Sequence, residues 1–579
     1  MRNEPELFDT FPTRPSVTIS SITMSDETVI DVANSSIVVF VGPNSSGKSQ
    51  SLRDLQQHIA GRPDRVFKAI TTISLNYEGN EPLIIATLRS QGAIVDNQAG
   101  QSSVHLPGLV CGLTGICEQW NEKAGLGNLT SYFVLFADAS ARLQTASSVQ
   151  NIDPMTQTPV NPLHQLYFRP DLETELSNLT KRVFGKGVAV DRFAGIKIYL
   201  RIGDPPPCVG TTEIIEYTGA LRQLPPIESE GDGIRAFVGL ASHIIAGNHT
   251  IMLVDEPEAF LHPPQARLIG EMLANQHEMK RQVFVATHST DVLKGLLTAE
   301  DSMTIVRLTR ESDRNPVHVL RPSDVQELWS DPILRYSNVF DSLFHDMTVI
   351  CESDADCRFY GSILDVLRVE TLDDHKYPDI FFTHCGGKHR MPVVIKALRA
   401  VGVTVRTVAD FDILRDANLL GQIVEALGGE WSTIENHHRI IKSDLDQRLE
   451  APYLIDVRSR LDEIFNGKSG SGDRLSTEQA ERARDVLKTR SGWDRAKESG
   501  AAALGSGNPT QAWQRLDVVF RSVGLFVVPE GELEGFVREV GGHGPSWVTE
   551  VHEKDLHKNA TEARTFVSEF VRSSSMPTL

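Results

Sequence analysis

The chain has few cysteines and no paired arrangement of them. The six cysteines among 579 residues include no Cys-x-x-Cys pair, which argues against a cysteine zinc site and against a disulfide framework. Long apolar runs are also missing, since no stretch approaches the roughly 18 residues that would span a bilayer. The first residues lack the apolar segment of a secretory signal. We therefore expect a cytoplasmic protein in a reducing compartment, with no membrane segment.

Positive charge is scarce as well. Lysine and arginine number 57 against 76 acidic residues, which gives a formal net charge of -19. This balance argues against a protein that coats nucleic acid through bulk charge, but it permits a local basic groove or binding through metal ions. The composition is otherwise that of a globular protein, with 40% hydrophobic and 23% charged residues. At this length we expect two or three domains.

What the chain does contain is a repeated pattern of apolar strand-like runs that end in phosphate- or metal-binding residue types. In α/β sheets, ligand sites lie outside the carboxyl ends of the strands. The first such run leads into Gly42–Ser49, which fits the G-x-x-x-x-G-K-[ST] phosphate loop in full. Backbone amides of the loop would face the phosphates, and we expect ATP there. The predicted nucleotide-binding residues of this loop are Gly42, Asn44, Ser45, Ser46, Gly47, Lys48 and Ser49.

A second apolar run, residues 251–254, ends in Asp255 and Glu256. Ser49 and Asp255 would hold Mg²⁺, and Glu256 would polarise the attacking water. A third run ends in His288, which is suited to contact the γ-phosphate. These residues complete the prediction of an ATPase site.

The segment Ser229-Glu-Gly231-Asp-Gly233 lies shortly before the Asp255 strand. This order resembles ABC-type ATPases, and the segment looks like the variant signature of DNA-associated members of the RecF and OLD (overcoming lysogenisation defect) kind. The resemblance implies head-to-head homodimers, or higher oligomers, in which Ser229, Gly231 and Gly233 of one copy complete the ATP site of another. ATP binding would then switch the protein between open and closed states. An ABC ATPase paired with a membrane permease is a further alternative, which the unusual signature and the acidic second half disfavour.

The second half repeats the strand-end pattern with acids. Apolar runs precede Glu352 and Asp356, then Asp410 and Asp412, then Glu532 and Glu534. Carboxylates brought this close repel each other unless a cation is present, and their oxygens suit Mg²⁺ or Mn²⁺. Two ions could clamp the attacking and leaving oxygens of a phosphodiester. We therefore predict that these six acids bind metal.

Glu352 followed by Asp410-x-Asp412 resembles the Toprim domain, with Ser353 in place of the usual glycine. Its combination with an ABC ATPase resembles the OLD family, which includes Gabija-type nucleases. Gly386-Gly-Lys388 and the Glu532-x-Glu534 element fit the same family. The family also has a catalytic lysine shortly after that element, for which Lys554 and Lys558 are both candidates.

The expected fold is α/β throughout: an ABC-type P-loop ATPase domain followed by a Toprim domain with a Rossmann-like parallel sheet. We place the first domain at residues 1–335, with an elaborated insertion at about 90–165. The second occupies residues 336–579, with a helical insertion at about 416–518.

The resemblance implies an ATP-regulated, divalent-metal-dependent nuclease that acts in bacterial anti-phage defence. DNA is the favoured substrate. One alternative is a Toprim RNase that cuts tRNA or another structured RNA. Another is a DNA-associated sensor or maintenance ATPase whose Toprim-like domain is a non-catalytic interaction platform. The sequence leaves open whether a second, operon-encoded protein is required.

Overall fold

A computed structural model describes residues 14–32, 36–62, 66–91, 93–96, 102–106, 109–153, 159, 161–205, 214–277, 279–310, 316–330, 338–370, 378–450, 454–465, 476–487 and 490–572. Contacts divide the chain into two compact units, Met1–Arg335 and Tyr336–Leu579. The division falls at the residue where the sequence analysis places the domain boundary. Within the described ranges, the structure has no helix that is long and apolar enough to cross a bilayer.

The first unit is built around a six-stranded sheet in the order β15-β14-β3-β13-β12-β8. All neighbouring pairs are parallel except β14 and β15. Strands β3, β12 and β13 are buried along their whole length, as expected for parallel strands covered on both faces. The strands of this sheet are β3 (Ile37–Val41), β8 (Val134–Ala137), β12 (Ile251–Asp255), β13 (Gln282–Ala286), β14 (Met303–Leu308) and β15 (Val317–Leu320).

Three smaller antiparallel sheets complete the strands of the first unit, in the orders β2-β1-β4, β5-β6-β7 and β10-β11-β9. Their strands are β1 (Ser16–Met24), β2 (Val29–Asp31), β4 (Ile70–Glu78), β5 (Ile94–Asp96), β6 (Ser102–Leu106), β7 (Leu109–Gly112), β9 (Val149–Gln150), β10 (Val188–Asp191) and β11 (Lys197–Ile202).

The expectation of an insertion at about 90–165 needs a correction. Strand β8 lies inside this segment and pairs in parallel with β12 of the central sheet. This part of the segment therefore belongs to the core of the unit. Strand β8 has only four residues, which is too short a run to be recognised as a core strand within a segment rich in glycine, serine and glutamine.

Helices pack on the sheets of the first unit. They are α1 (Lys48–Ile59), α2 (Glu81–Ser90), α3 (Leu113–Glu122), α4 (Thr130–Phe133), α5 (Ala139–Thr145), α6 (Pro162–Phe168), α7 (Pro170–Phe184), α8 (Ile214–Gln223), α9 (Asp232–Ala246), α10 (Pro263–Ala274), α11 (Thr290–Leu296) and α12 (Pro322–Ser330).

The second unit contains a four-stranded, fully parallel sheet in the order β17-β16-β18-β21. Because all four strands run the same way, their carboxyl ends meet at one edge. The strands of the unit are β16 (Met347–Cys351), β17 (Ile380–His384), β18 (Thr404–Ala409), β19 (Leu449–Glu450), β20 (Arg490–Ser491) and β21 (Leu525–Val527). The short β19 and β20 pair with each other outside this sheet.

Helices cover the sheet of the second unit, and those between β18 and β21 form the segment that was expected to be a helical insertion. They are α13 (Asp354–Glu370), α14 (Met391–Ala400), α15 (Ala417–Ala426), α16 (Trp431–Asp446), α17 (Leu454–Phe465), α18 (Thr477–Leu487), α19 (Gly492–Ser499), α20 (Asn508–Val523), α21 (Pro545–Glu553) and α22 (Thr561–Arg572).

Candidate functional site

The phosphate loop joins β3 to α1 and depends on backbone conformations that glycine supplies. Gly42 has a φ of 141°, and a Cβ at this position would overlap the carbonyl oxygen of Leu308 at the end of β14. Gly47 has a φ of 103° and directly precedes α1. The amides at the start of this helix therefore face the loop, as an anion site requires. Nζ of Lys48 donates to the carbonyl oxygens of Gly42 and Pro43 at 2.8 and 2.9 Å.

The middle of the loop contains the other predicted residues, Asn44, Ser45 and Ser46. Ser45 adopts a positive φ of 63°, which a non-glycine residue seldom does. The hydroxyl of Ser46 is buried and has no hydrogen-bond partner. A buried hydroxyl of this kind calls for an explanation, and a ligand in the loop would provide one.

Ser49 and Asp255 lie together, as the metal prediction requires. The Ser49 hydroxyl donates to Oδ1 of Asp255 at 2.8 Å. Burial raises the pKa of Asp255, while the hydrogen bond from Ser49 acts in the opposite direction. The pair presents two oxygens beside the start of α1, which is a donor set suited to Mg²⁺.

Glu256 and His288 follow neighbouring strands and approach each other. Nδ1 of His288 lies 3.7 Å from Glu256 and 3.3 Å from Glu258. The Glu258 carboxylate also accepts hydrogen bonds from the Thr287 hydroxyl and the His288 amide, all at 2.9 Å. Burial raises the pKa of Glu258. The sequence motifs assign Glu258 no role, although it is the second glutamate of the Asp-Glu-Pro-Glu run.

Arg142 also belongs to this site, although no sequence motif predicts it. It lies on α5, is only 1% exposed, and reaches the turn after β12. Its guanidinium donates to the carbonyl oxygens of Ala137 at 3.2 Å, Asp255 at 2.7 Å and Glu256 at 2.9 Å. No motif marks this arginine, because it comes from the segment that was read as an insertion.

The predicted signature residues lie in the segment just before α9 and in its first turn. The hydroxyl and amide of Ser229 both donate to the carbonyl oxygen of Pro226, at 2.7 and 3.0 Å. Gly231 immediately precedes α9. A Cβ on Gly233 would lie 2.7 Å from the carbonyl oxygen of Phe260. The hydrogen bonds of Ser229 are made within its own chain. Its role in the ATP site of a second copy therefore stays a prediction.

In the second unit, the sheet brings the predicted acids to one edge. Glu352 follows β16, Asp410 follows the neighbouring β18, and Glu532 comes five residues after β21. The Asp410 amide donates to Oε1 of Glu352 at 3.2 Å. Asp356, in the first turn of α13, accepts a 2.8 Å hydrogen bond from the Ser353 amide.

The electrostatics show how closely these acids crowd. Burial raises the pKa of Asp410 well above its usual range, and the surrounding carboxylates add to the rise. Burial likewise raises the pKa of Glu352 to about 7, although Lys388 opposes the change. The acids that act on Asp410 are Glu352, Asp356, Asp412 and Glu532. Five predicted metal ligands from three strand ends therefore interact with one another.

Two lysines beside these acids were not predicted as site residues. Nζ of Lys388 lies 2.8 Å from Oδ1 of Asp412, and Nζ of Lys497 lies 3.4 Å from Oε2 of Glu532. Burial lowers the pKa of Lys497, but the carboxylates, led by Glu532, outweigh this and raise it. Lys497 belongs to α19, so the helical segment contributes a cation to the acidic edge.

Glu532 and Glu534 form a tight group with His543. One ligand atom from each of the three lies within 4.8 Å of the others. The other four predicted acids form no group this tight in the part of the chain that the structure describes. His543 was not predicted, because a lone histidine in a glycine-rich stretch carries no motif.

The two lysines predicted from the sequence pair with other partners. Nζ of Lys554 lies 2.6 Å from Glu550, and Nζ of Lys558 lies 2.8 Å from Asp555. All four side chains of these pairs are 43–65% exposed. These ion-pair partners, Glu550 and Asp555, are not among the six predicted metal ligands. A catalytic role for either lysine therefore stays a prediction.

Comparison with known proteins gives a partial answer about family. Residues 123–294 match a family described as an AAA domain, putative AbiEii toxin, Type IV TA system. The Old nuclease of Escherichia phage P2 is 24% identical over 173 residues, which is 29% of this chain and 28% of the phage protein. The matched region thus spans little more than a quarter of that relative.

Solved structures that resemble the chain include two Smc head domains. The one from Pyrococcus furiosus, bound to the C-terminal domain of ScpA, has 10% identity and a TM-score of 0.32, covering 54% of this chain and 98% of its own. The one from Thermotoga maritima has 12% identity and a TM-score of 0.27, covering 53% and 99%. The phosphate loop and the Ser49–Asp255 contact give the first unit a P-loop ATPase fold, and residues 123–294 of this unit are similar to the AAA family named above.

Proposed function

We propose that this protein is an ATP-regulated nuclease that uses divalent metal ions to hydrolyse nucleic acid. The observation that carries the proposal is the crowding of carboxylates at one edge of the parallel sheet in the second unit. Three strand ends contribute acids that interact electrostatically with Asp410. Such crowding is unfavourable without a cation nearby. In this proposal the second unit is a Toprim-like, metal-dependent domain.

The donor set fits hard divalent cations. The proposed ligands are all carboxylates, and oxygen ligands suit Mg²⁺ and Mn²⁺. When bound, two such ions would polarise the scissile phosphate and lower the pKa of the attacking water. The ligands of the proposal are Glu352, Asp356, Asp410, Asp412, Glu532 and Glu534.

The chain's own residues would handle the remaining charge. Lys388 and Lys497 lie beside two of the proposed metal ligands, Asp412 and Glu532. Ammonium groups in these positions can bind a phosphate oxygen and stabilise the negative charge that develops as the ester bond breaks. Lys554 or Lys558 would join them if either releases its surface carboxylate.

The ATPase site would control when cutting occurs. Lys48 would bind the β- and γ-phosphates, and Ser49 and Asp255 would hold Mg²⁺. Glu256 would polarise the attacking water, and His288 would contact the γ-phosphate. Ser229 of a second copy would complete the site, so that ATP favours a closed dimer. ATP can shift such an equilibrium only by binding the closed state more tightly.

Similarity to a phage nuclease supports this proposal. The similarity to the Old nuclease covers 29% of the chain, so the nuclease activity and a role in defence against phage are proposed for this chain. Fold-level likeness alone would not establish either of them. The site chemistry therefore has to be tested directly.

The test uses the full-length protein with plasmid DNA, single-stranded DNA and tRNA, in Mg²⁺ or Mn²⁺, with and without ATP. Asp410→Asn should abolish cutting and leave ATP hydrolysis within about twofold of wild type, because the two activities use separate residues. Asp365→Asn is the matched control, since Asp365 is a highly exposed acid of the same unit. Lys48→Ala should remove ATP hydrolysis and the effect of ATP on cutting.

Each outcome decides something. Cutting of tRNA in preference to DNA would make the protein an RNase. If Asp410→Asn cuts as well as wild type, the acidic edge is not the nuclease site. Metal binding without cutting of any substrate would favour a sensor ATPase with a non-catalytic second unit.

A further inference from the structure

His543 faces two carboxylates at once. Its Nδ1 lies 3.6 Å from Oε1 of Glu532 and 3.6 Å from Oε1 of Glu534. The two carboxylates are largely buried, with 12% and 16% of their side chains exposed, whereas the imidazole is 75% exposed. A largely exposed imidazole therefore places one nitrogen beside two largely buried carboxylates.

The backbone around His543 holds it beside these acids. The Gly544 amide donates to Oε1 of Glu534 at 2.7 Å. Gly542 and Gly544 have φ values of 94° and 65°, conformations that glycine adopts without strain. The chain thus turns sharply on both sides of the histidine, and one of these turns is fastened to Glu534.

The chemistry of this trio differs from that of the other proposed ligands. Glu352, Asp356, Asp410 and Asp412 offer only oxygen, which suits Mg²⁺. An imidazole nitrogen beside two carboxylates suits first-row transition metals, and Mg²⁺ binds such nitrogen reluctantly. Replacing one oxygen ligand by nitrogen should therefore change which cation binds best.

We propose that Glu532, Glu534 and His543 form a mixed oxygen–nitrogen site that takes a first-row divalent cation such as Mn²⁺ in preference to Mg²⁺. The inference rests on the proposed function, because it assigns a ligand and a metal class to one part of the same acidic edge. It adds a residue that the strand-end pattern does not contain. It also makes the two proposed metal positions chemically unequal.

Imidazole bound to a metal must present an unprotonated nitrogen. Lys497 lies 3.4 Å from the other oxygen of Glu532, so Oε1 is the oxygen of Glu532 that remains available on the histidine side. Oε1 of Glu532 and Nδ1 of His543 therefore lie on the same side of this glutamate, where a cation could contact both.

The experiment measures metal binding by the full-length protein without nucleotide, using Mn²⁺ or Mg²⁺ alone in titration calorimetry and, for Mn²⁺, electron paramagnetic resonance. His543→Ala should weaken Mn²⁺ binding by about tenfold or more, the scale on which residues around metal sites act. Mg²⁺ binding should change by less than about twofold. His437→Ala, at a histidine of α16 in the same unit, is the control.

A second variant keeps the test decisive if loss of the ring disturbs the loop. His543→Asp replaces nitrogen by oxygen, so it should retain a divalent site whose preference moves from Mn²⁺ toward Mg²⁺. Equal losses for both cations in His543→Ala, or no loss for either, would overturn the proposal. So would His543→Asp with an unchanged preference.

These outcomes are independent of the nuclease assay. If Mn²⁺ binding depends on His543 but no nucleic acid is cut, the proposed function fails while the metal site stands. If the protein cuts nucleic acid but its Mn²⁺ affinity does not depend on His543, the proposed function stands while the mixed-ligand metal site fails.

Discussion

Nη2 of Arg142 donates to the carbonyl oxygen of Glu256 at 2.9 Å, and Glu256 has a φ of 47°. A side chain in this left-handed conformation costs on the order of 1 kcal/mol. The arginine holds the carbonyl side of this residue, while the Glu256 amide donates to the carbonyl oxygen of Ala286 at 2.8 Å. The proposed catalytic glutamate is thus held from both its amide and its carbonyl.

Arg142→Lys should lower kcat for ATP hydrolysis by about tenfold and leave KM for ATP nearly unchanged. A lysine keeps the charge but lacks the planar fork that reaches several carbonyl oxygens at once. An effect confined to kcat indicates lost positioning in the transition state. Arg169→Lys, at a surface ion pair, is the control, and thermal unfolding checks folding. A higher KM with normal kcat would contradict the prediction.

Gly500→Ala should destabilise the protein and impair cutting more than ATP hydrolysis. Gly500 has a φ of 53°, and a Cβ there would overlap the carbonyl oxygen of Pro529, shortly before Glu532. Forcing a methyl group into such a space costs about 1–3 kcal/mol. Denaturant unfolding gives the loss. Gly507→Ala is the matched control, because Gly507 has a φ of 91° but open space around it. An equal loss of stability in Gly507→Ala would mean that backbone strain, and not the overlap with Pro529, causes the effect.

Lys497→Ala should slow cutting by about tenfold, since its ammonium is one of the cations beside the acids and charge stabilisation by a single donor is commonly of this size or larger. Single-turnover cleavage rates measure the effect. Lys442→Ala serves as control, because Lys442 lies in the same helical segment and pairs with Asp446. Lys554→Ala and Lys558→Ala belong in the same series. If either gives the larger loss, the lysine predicted from the sequence is the principal one.

The first unit should lose stability as the pH falls below about 6.5. Burial lowers the pKa of His243 from 6.5 to about 3 and that of His249 from 6.5 to about 4. Below the unfolded pKa of 6.5, the unfolded chain takes up protons that the folded chain excludes, so the free energy of unfolding falls as acid is added. The stability that the two neutral histidines contribute is therefore fully present above pH 6.5 and is lost below it. Unfolding curves measured between about pH 8 and 5 test this.

The double variant His243→Gln with His249→Gln isolates that effect. Its free energy of unfolding should vary less with pH over the same range, because glutamine does not titrate and the unfolded variant takes up two fewer protons. His552→Gln, in the second unit, is the comparison, although burial also lowers the pKa of His552. A wild-type profile that is flat, or as steep in the double variant, would refute the assignment.

Local motifs explain how much of the fold and site could be predicted. The phosphate loop and Asp255 are recognisable because each directly follows a buried strand, and the structure places Ser49 against Asp255. The acids of the second unit follow the same logic, since Glu352 and Asp410 lie at the ends of neighbouring parallel strands. Sequence alone shows such residues because strand and ligand are adjacent in the chain.

The residues that were missed come from distant segments. Arg142 reaches Asp255 across 113 positions, and Lys497 and His543 approach Glu532 from a helix and a loop with no motif of their own. Their positions depend on tertiary packing, which no local pattern records. The same is true of β8, whose place in the sheet is set by pairing with β12.

The strand order of the second unit also has a consequence for synthesis of the chain. Strand β18 lies between β16 and β21 in space, but β21 begins more than a hundred residues after β18 ends. During translation, Glu352 and Asp410 therefore emerge long before Glu532 and Glu534. A ribosome-bound chain that ends before β21 carries four of the six acids but cannot complete the acidic edge. A nuclease assembled in this order would stay inactive until β21 and the two glutamates after it have been made.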